Sequence, residues 1–217
     1  MGDRRNYDQN CPIATGLDVL GERWTLLILR ELLGGPRRYS DLRAALPGIA
    51  TNLLAARLRE LEEARVIERS ELPPPAARTV YTLSDSGWQQ IPPILQALAR
   101  FGLPMLPPPV EGEDTSALNG FLAGILLGFD PSRTGPMDTT YRADIDGRSF
   151  DFAVRDSGLG PARGEPKVTL TATAADLVRF RLASDPQTRQ RSAGRIQLDG
   201  GRRATTQFRN VFALDAP

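Results

Sequence analysis

Residues 38–69 read RYSDLRAALPGIATNLLAARLRELEEARVIER and predict two helices joined by a tight turn. Ser40 is the predicted N-cap of the first helix, because its hydroxyl oxygen can accept a hydrogen bond from a free backbone N–H of the first turn. Pro47-Gly48 ends that helix, since proline disfavours helical backbone in the residue before it and glycine tolerates a turn. The second helix is predicted from about Thr51 to Ala64.

This second helix has one apolar face and one face of small and polar residues. Leu54, Leu58 and Leu61 recur at i, i+4 and i+7 and predict a buried stripe. The opposite face consists of Asn52, Ala55, Ala56, Arg59 and Glu63. A slim, polar first turn suits a helix that enters a DNA groove, and the alternative is an ordinary amphipathic helical hairpin. Arg57 falls beside the leucines, where it can flank a phosphate or pair with a carboxylate.

A β-hairpin is predicted directly after the two helices. The segment LPPPAARTVYTL, residues 72–83, predicts strand, loop and strand, with Val80 and Thr82 on one face and Tyr81 and Leu83 on the other. Two helices followed by such a hairpin have the order of a winged helix-turn-helix. Arg78 lies in the predicted tip, where a wing would meet phosphate or the minor groove.

The first half of the chain resembles the HxlR-type winged-helix transcriptional regulators. The motifs that carry the resemblance are Cys11-Pro12, GERWTLLIL at 21–29, Tyr39-Ser40-Asp41-Leu42, Pro47-Gly48-Ile49, Arg57-Leu58-Arg59-Glu60-Leu61, Val80-Tyr81-Thr82-Leu83 and Ser84 with Gly87. The resemblance implies a homodimeric, bacterial regulator that binds double-stranded DNA. The chain departs from the family at Ala50, Ala55 and Ala56, where Ser, Thr and Gln are usual, which removes potential hydrogen bonds to DNA.

The helix face, the predicted N-cap and the predicted wing together define candidate DNA contacts. These are Ser40, Thr51, Asn52, Ala55, Arg57, Arg59 and Arg78. The whole chain of 217 residues has a net charge of only +1, although affinity for DNA depends on neutralising phosphates. Local charge is more favourable, because arginines cluster in the winged-helix region. They are Arg37, Arg38, Arg43, Arg57, Arg59 and Arg78.

Composition excludes most catalytic chemistry. The chain has no histidine, which excludes a Ser-His-Asp triad and histidine metal ligands. Its single cysteine excludes an intramolecular disulfide. The glycines of SGLGPARGEP, residues 157–166, lack the spacing of a phosphate-binding loop. We therefore predict no enzyme, no metal site and no cofactor.

Cys11 precedes a helix predicted from about Ile13 to Leu20. A free cysteine is often a small buried residue, and this is one interpretation. The other is a redox sensor, because the resembled family includes members that sense electrophiles or oxidants through a cysteine near this position. A sensor cysteine needs a lowered pKa and exposure to solvent.

Two further helices carry broad apolar faces. The first has Trp24, Leu27, Ile28 and Leu32 in one stripe, and the second, residues 85–101, has Ile91, Leu95 and Leu98 on one side. Such faces predict burial in a core or in a subunit contact. Pro92-Pro93 should kink or restart the second helix. In the resembled family the outer helices pair two subunits, and a dimer doubles the contacts on a palindromic site.

A proline-rich linker, residues 104–116, is predicted to separate a domain at 1–103 from one at 117–217. The second domain begins with an apolar helix from Ala117 to Phe129, with glycine at every fourth position, predicted to lie against a sheet. The elements predicted after it are a hairpin with its turn at Asp146-Gly147, a loop at 157–166, a strand at 167–171, a helix capped by Thr173, a short helix from Asp185-Pro186, a strand at 195–198, a turn at Asp199-Gly200 and a helix or strand at 205–212.

This order resembles the sterol-carrier-protein-type (SCP2-like) fold. The motifs are the strand pair around Asp146-Gly147, the run VTLTATAADLVRF at 168–180 and GRIQLDG at 194–200. We thus expect an α+β chain, a winged helix-turn-helix followed by an SCP2-like α/β sandwich with a tunnel for an apolar ligand. The candidate wall residues are Phe121, Ile125, Phe152, Phe180, Phe208 and Phe212. Plain core packing is the alternative for each of them.

Two functions follow from these expectations. The first is a dimeric transcription factor controlled by a lipid-like or other apolar small molecule in the second domain. The second is a lipid carrier or protein-interaction module whose helix-turn-helix no longer binds DNA strongly. No apolar run is long enough to span a bilayer, and no signal-type core follows the first residues, so we expect a cytoplasmic protein.

Overall fold

The computed structural model describes residues 6–72, 78–106 and 115–214, without the side chain of Leu72. The chain divides into two compact units, residues 1–91 and 92–217. The boundary predicted at 104–116 stays a prediction, and residues 107–114 of that linker lie outside the described residues.

The first unit has the element order of a winged helix-turn-helix, as predicted. Its elements are α1 (Pro12–Leu20), α2 (Thr25–Leu33), α3 (Tyr39–Ala45), α4 (Thr51–Glu63), β1 (Ile67–Leu72), β2 (Arg78–Leu83) and the start of α5 (Asp85–Gly102). Strands β1 and β2 pair antiparallel. Arg37, between α2 and α3, adds a bridge to Tyr81 through two backbone hydrogen bonds of 3.0 and 2.7 Å.

The core of the first unit contains the leucine stripe of α4. Leu54, Leu58 and Leu61 are at most 2% exposed, as the spacing predicts. Val80 and Leu83 are both buried, although alternation placed them on opposite faces of the strand. Leu83 is the last residue of β2 and the chain turns directly into α5, so strand alternation no longer decides its burial.

The two broad apolar helices are only partly buried. In α2, Ile28 is fully buried, whereas Leu27 is 41% exposed. Helix α5 runs through Pro92 and Pro93 as one element, so it does not restart there, and a kink stays a prediction. Pro92 is itself buried, whereas Pro93 is exposed.

The second unit contains a five-stranded mixed sheet and its helices. After Leu103–Met105, a 3₁₀ turn, its elements are α6 (Ala117–Phe121), a π-helical turn (Leu122–Leu126), a 3₁₀ turn (Pro131–Arg133), β3 (Asp138–Ile145), β4 (Arg148–Arg155), β5 (Gly158–Pro161), β6 (Val168–Ala172), α7 (Ala174–Leu182), α8 (Pro186–Ala193), β7 (Gln197–Gly200) and α9 (Arg202–Val211). The strand order is β5-β4-β3-β6-β7, and only the β3–β6 pair is parallel.

Several local predictions for this unit are confirmed. Asp146 and Gly147 form the turn between β3 and β4 with φ values of 47° and 76°. The Thr173 hydroxyl accepts a hydrogen bond of 3.0 Å from the backbone N–H of Asp176 and caps α7. Asp185 caps α8 in the same way. The last predicted element, left open as helix or strand, is the helix α9.

Two other local predictions are wrong. The segment 157–166 was expected to be a loop, but Gly158–Pro161 forms β5 against β4. The expected turn Asp199-Gly200 lies within β7, where both residues pair with β6. Both segments are poor in β-branched residues, so long-range backbone pairing, which local pattern does not report, decides their structure.

The apolar segment was predicted to lie against a sheet. Its glycines also face α7. A Cβ atom on Gly120 would lie 2.6 Å from Ala174 Cα, and one on Gly124 would lie 2.8 Å from Leu177 Cδ2. The segment itself is not one α-helix, because α6 ends at Phe121 and a π-helical turn follows. Within the described residues, no helix is both long and apolar enough to cross a membrane.

Gly120→Ala should destabilise the protein by about 1–3 kcal/mol, because the new methyl group meets the backbone of α7. Gly16→Ala is the matched control. Gly16 lies in α1 with open space around it, so alanine should raise stability by up to about 1 kcal/mol through its better helix propensity. Urea unfolding of both variants, followed by circular dichroism, measures the two effects. Equal midpoints would contradict the close packing of α6 on α7.

Candidate nucleic-acid interface

The start of α4 is held in place by α3. The Tyr39 hydroxyl donates a hydrogen bond of 2.6 Å to the backbone carbonyl of Thr51, the first residue of α4. The backbone N–H groups of Leu53 and Leu54 both donate to the Ala50 carbonyl at 3.0 Å. The first turn of the predicted recognition helix is therefore well defined.

Arg57 fixes the middle of α4 through carboxylates. Its guanidinium lies 2.6 Å from Glu22 Oε2 and 2.5 Å from Glu60 Oε2, and its side chain is 13% exposed. Of the two alternatives for this residue, the structure shows the pairing with a carboxylate. The Glu22 pair ties α4 to the turn between α1 and α2, so Arg57 acts in positioning the helix.

The side of α4 away from the leucine stripe is open to solvent. Thr51, Asn52 and Arg59 are exposed, and the small residues Ala55 and Ala56 are half-buried. The Asn52 Oδ1 atom accepts a hydrogen bond of 3.0 Å from the Leu53 N–H, which leaves the amide nitrogen of the side chain as a donor. This is the narrow, weakly charged first turn that the sequence predicts.

Ser40 is not the N-cap of α3. The helix begins at Tyr39 with Arg38 as N-cap, and the Arg38 backbone N–H donates to Asp41 Oδ2 at 3.1 Å. The Asp41 carboxylate therefore satisfies a backbone donor of the cap, a role that the sequence assigned to the serine hydroxyl. Ser40 is exposed in the first turn of α3, and its hydroxyl donates a hydrogen bond of 3.4 Å to Asp41 Oδ1.

The arginines of this unit form two groups. Arg37 and Arg30 pair with the buried Glu31, at 3.3 and 2.7 Å, and Arg57 is paired as described. The second group makes no ion pair with any residue in the described ranges 6–72, 78–106 and 115–214. Among its members are Arg38, Arg43, Arg59 and Arg78. Arg78 was predicted in the wing tip, but it is the exposed first residue of β2; residues 73–77 of that tip lie outside the described residues.

Sequence reasoning missed the residues that hold the interface in place. Tyr39, Glu22 and Glu31 were not proposed as site residues. Glu22 belongs to the GERW motif, but it is 35 residues from Arg57, and no spacing rule links the two. The only signal was the placement of Arg57 beside an apolar stripe, which requires a partner for its charge.

The six candidate wall residues of the second unit fill the space between sheet and helices. All are at most 3% exposed. Four of their rings contact one another, with centroid distances of 5.5 Å for Phe121–Phe152, 5.8 Å for Phe152–Phe212 and 4.6 Å for Phe208–Phe212. Two concave pockets on the described part of the chain are lined by other residues. The geometry thus matches the core-packing alternative for this set.

Cys11 occupies the N-cap position of α1 and is half-buried, so it is not the fully buried residue of the first interpretation. Its carbonyl accepts a hydrogen bond from the Thr15 hydroxyl at 3.1 Å. A redox role for this cysteine stays a prediction.

Comparison with known proteins agrees with this geometry. A model of the HxlR-like helix-turn-helix family matches residues 19–108. The HTH-type regulator YvaP of Bacillus subtilis is 35% identical over 104 residues, which are 48% of this chain and 95% of that protein. The chain belongs to the HxlR-like helix-turn-helix family. The winged helix-turn-helix described above is therefore that of an HxlR-type transcriptional regulator, a class of proteins that are generally not enzymes.

Other relatives of the HxlR-like family match less than half of this chain. A regulator of Synechocystis sp., sll1512, is 41% identical over 42% of this chain and 67% of that protein. The regulator YodB of B. subtilis is 37% identical over 36% of this chain and 70% of that protein. A solved structure of reduced YodB covers 42% of this chain and 92% of that chain with a TM-score of 0.37. The family model ends at residue 108, before α6 begins.

Arg57→Ala should lower the stability of this HxlR-like unit by about 1–3 kcal/mol, because two charge-assisted hydrogen bonds are lost. Arg59→Ala is the matched control on the same helix, and it should change stability by no more than about 0.5 kcal/mol, since Arg59 is exposed. Thermal unfolding compares the two. A larger effect for Arg59→Ala would contradict the assignment of Arg57 as the positioning residue.

Proposed function

We propose that this chain is a homodimeric regulator that inserts the start of α4 into the major groove of DNA. The exposed first turn of α4, with Thr51 and Asn52 open to solvent, is the observation that carries this proposal. A recognition helix contacts base edges with its N-terminal residues. The buried leucine stripe of α4 turns these residues outward.

The unpaired arginines supply the contacts to phosphate. Arg59 continues the outward face of α4, and Arg43 lies on α3, while Arg78 begins the second strand of the wing. Each arginine that neutralises a phosphate releases condensed counterions and strengthens binding. Ala50, Ala55 and Ala56 contribute no hydrogen bonds, so we expect phosphate contacts to supply most of the affinity and Asn52 most of the base reading.

Exposed apolar residues on the outer helices support the homodimer. Ile13 and Leu17 project one turn apart from α1 and are 74% and 42% exposed. On α5, Ile94, Leu98 and Phe101 are exposed at i, i+4 and i+7. These are the helices through which the resemblance implies pairing. Contact with a second copy of the chain would remove these side chains from water.

The second unit is proposed to be an SCP2-like domain that controls the regulator. Gln96 of α5 donates hydrogen bonds to the backbone carbonyls of Leu126, at 2.6 Å, and Phe129, at 2.8 Å. The second half of α5 is thus bonded to the elements of this unit. A small molecule that favours one state of the second unit would shift α5 and, through the dimer, the spacing of the two recognition helices.

A carrier or protein-interaction module is the second candidate. The net charge of +1 and the three alanines of α4 favour it, because both reduce the interactions available to DNA. In that case the outward face of α4 would have no nucleic-acid partner. Measurement of DNA binding separates the two candidates.

Fluorescence anisotropy with a duplex from the gene's own upstream region tests the DNA function. Arg59→Ala should weaken binding by about tenfold or more and reduce the salt-dependence slope by about 2, one contact for each protomer. Arg203→Ala, an exposed position on α9, removes the same charge from the second unit and should leave binding within about twofold. Failure of the unmodified chain to bind any duplex at low salt would reject the regulator function.

Leu98→Glu should separate the proposed dimer, because a carboxylate would be buried in an apolar contact. Gln89→Glu introduces the same charge at an exposed polar position of α5 on the side of the helix opposite Leu98, and it should leave the assembly unchanged. Size-exclusion chromatography with light scattering gives the mass of each variant. An unmodified chain that is monomeric at micromolar concentration would contradict the homodimer.

A further inference from the structure

A groove in the second unit is distinct from the aromatic core and has about 670 Å³ of volume. One wall is the segment Leu103–Leu106, which continues directly from α5, and the other is formed by α7, α8 and the turn between them. Volumes of this size are typical of sites for small organic molecules. Helices α7 and α8 lie outside the residues matched by the family model.

Four arginines line the groove and the nearby carboxylates do not neutralise them. They are Arg179, Arg181, Arg191 and Arg195. The buried Asp176 pairs with Arg195 at 3.3 Å and with Arg179 at 3.7 Å. Asp185, the one acidic residue among those that line the groove, accepts from the backbone N–H of Thr188 at 2.7 Å and serves as the cap of α8. Two carboxylates therefore face four guanidinium groups.

Arg181 forms the base of this positive surface. Its guanidinium donates to the backbone carbonyls of Ala123, at 3.0 Å, and Phe212, at 3.0 Å, and it pairs with no carboxylate of the described residues. Burial, with smaller contributions from the nearby charges of Arg100 and Arg189, lowers the pKa of Arg181 to about 10. Like charges are thus held together here without a matching anion.

We propose that this groove binds an amphiphilic organic anion, with its carboxylate or phosphate on the arginines and its apolar part against Leu103, Leu106 and Leu182. Guanidinium groups suit this chemistry, because they form paired, charge-assisted hydrogen bonds to planar or tetrahedral oxyanions. Arg191 is exposed and makes no ion pair with the described residues, so it is the best placed to bind the head group.

The position of the groove gives such a ligand access to α5. The wall Leu103–Leu106 follows Gly102, the last residue of that helix, without an intervening loop. A molecule between this wall and α8 would restrict the end of α5. The binding site goes beyond the proposed DNA function and does not depend on it.

Isothermal titration calorimetry on the full chain tests the site with three probes. Decanoate carries both the anion and the apolar chain, 1-decanol carries only the chain, and acetate carries only the anion. Decanoate should bind at one site for each chain, about tenfold or more tighter than 1-decanol or acetate, because only decanoate combines charge-assisted hydrogen bonds with apolar contacts. Equal affinities for decanoate and 1-decanol would overturn the proposal.

Variants locate the decanoate site. Arg191→Gln should weaken decanoate about tenfold, whereas Arg202→Gln, at an exposed arginine of α9 that does not line the groove, should stay within about twofold. Ser184→Glu places a carboxylate at an exposed groove position and should weaken decanoate but not 1-decanol. If Arg191→Gln and Arg202→Gln have the same effect, or Ser184→Glu has none, the groove is not the site. DNA binding is not a readout here, so either proposal can fail without the other.

Discussion

The burial of three leucines on α4 is the constraint on which the proposed DNA-facing surface depends. Helix α4 cannot rotate about its own axis, because any rotation would expose Leu54, Leu58 or Leu61 to water. The outward position of Asn52 and Arg59 follows from this burial. The ion pair of Arg57 with Glu22 adds a second constraint along the helix, because it fixes α4 to the turn between α1 and α2.

In the second unit the interior is closely packed, and the groove proposed for a ligand lies at the surface. Gly120 brings α6 against α7, and the rings of Phe121, Phe152 and Phe212 fill the interval between helices and sheet. Rings in such contact pack as side chains do in a close-packed protein interior. The groove beside α8 is open, and its lining is charged where the interior is apolar.

The predictable features of this chain are those that local pattern determines. Leucine periodicity located α4, the Asp146-Gly147 turn was evident from residue type, and the Thr173 cap was found from its place before a helix. Pairing between distant residues was not predictable. Gly158–Pro161 has no alternation and becomes a strand only because β4 supplies its partner. In the same way, Glu22 could not be identified as the partner of Arg57, and Asp41 replaced Ser40 in capping α3.

The net charge of +1 does not distinguish between two populations of arginine that have different physical roles. Arg37 and Arg57 are satisfied by carboxylates of the chain, and their charge is not available to a partner. Arg59 and Arg191 are exposed and make no ion pair with the described residues. Only the second population can neutralise an external anion, whether a phosphate of DNA or a small organic acid. The formal net charge therefore predicts anion binding poorly in this chain. What decides anion binding is whether each arginine already pairs with a carboxylate of the chain.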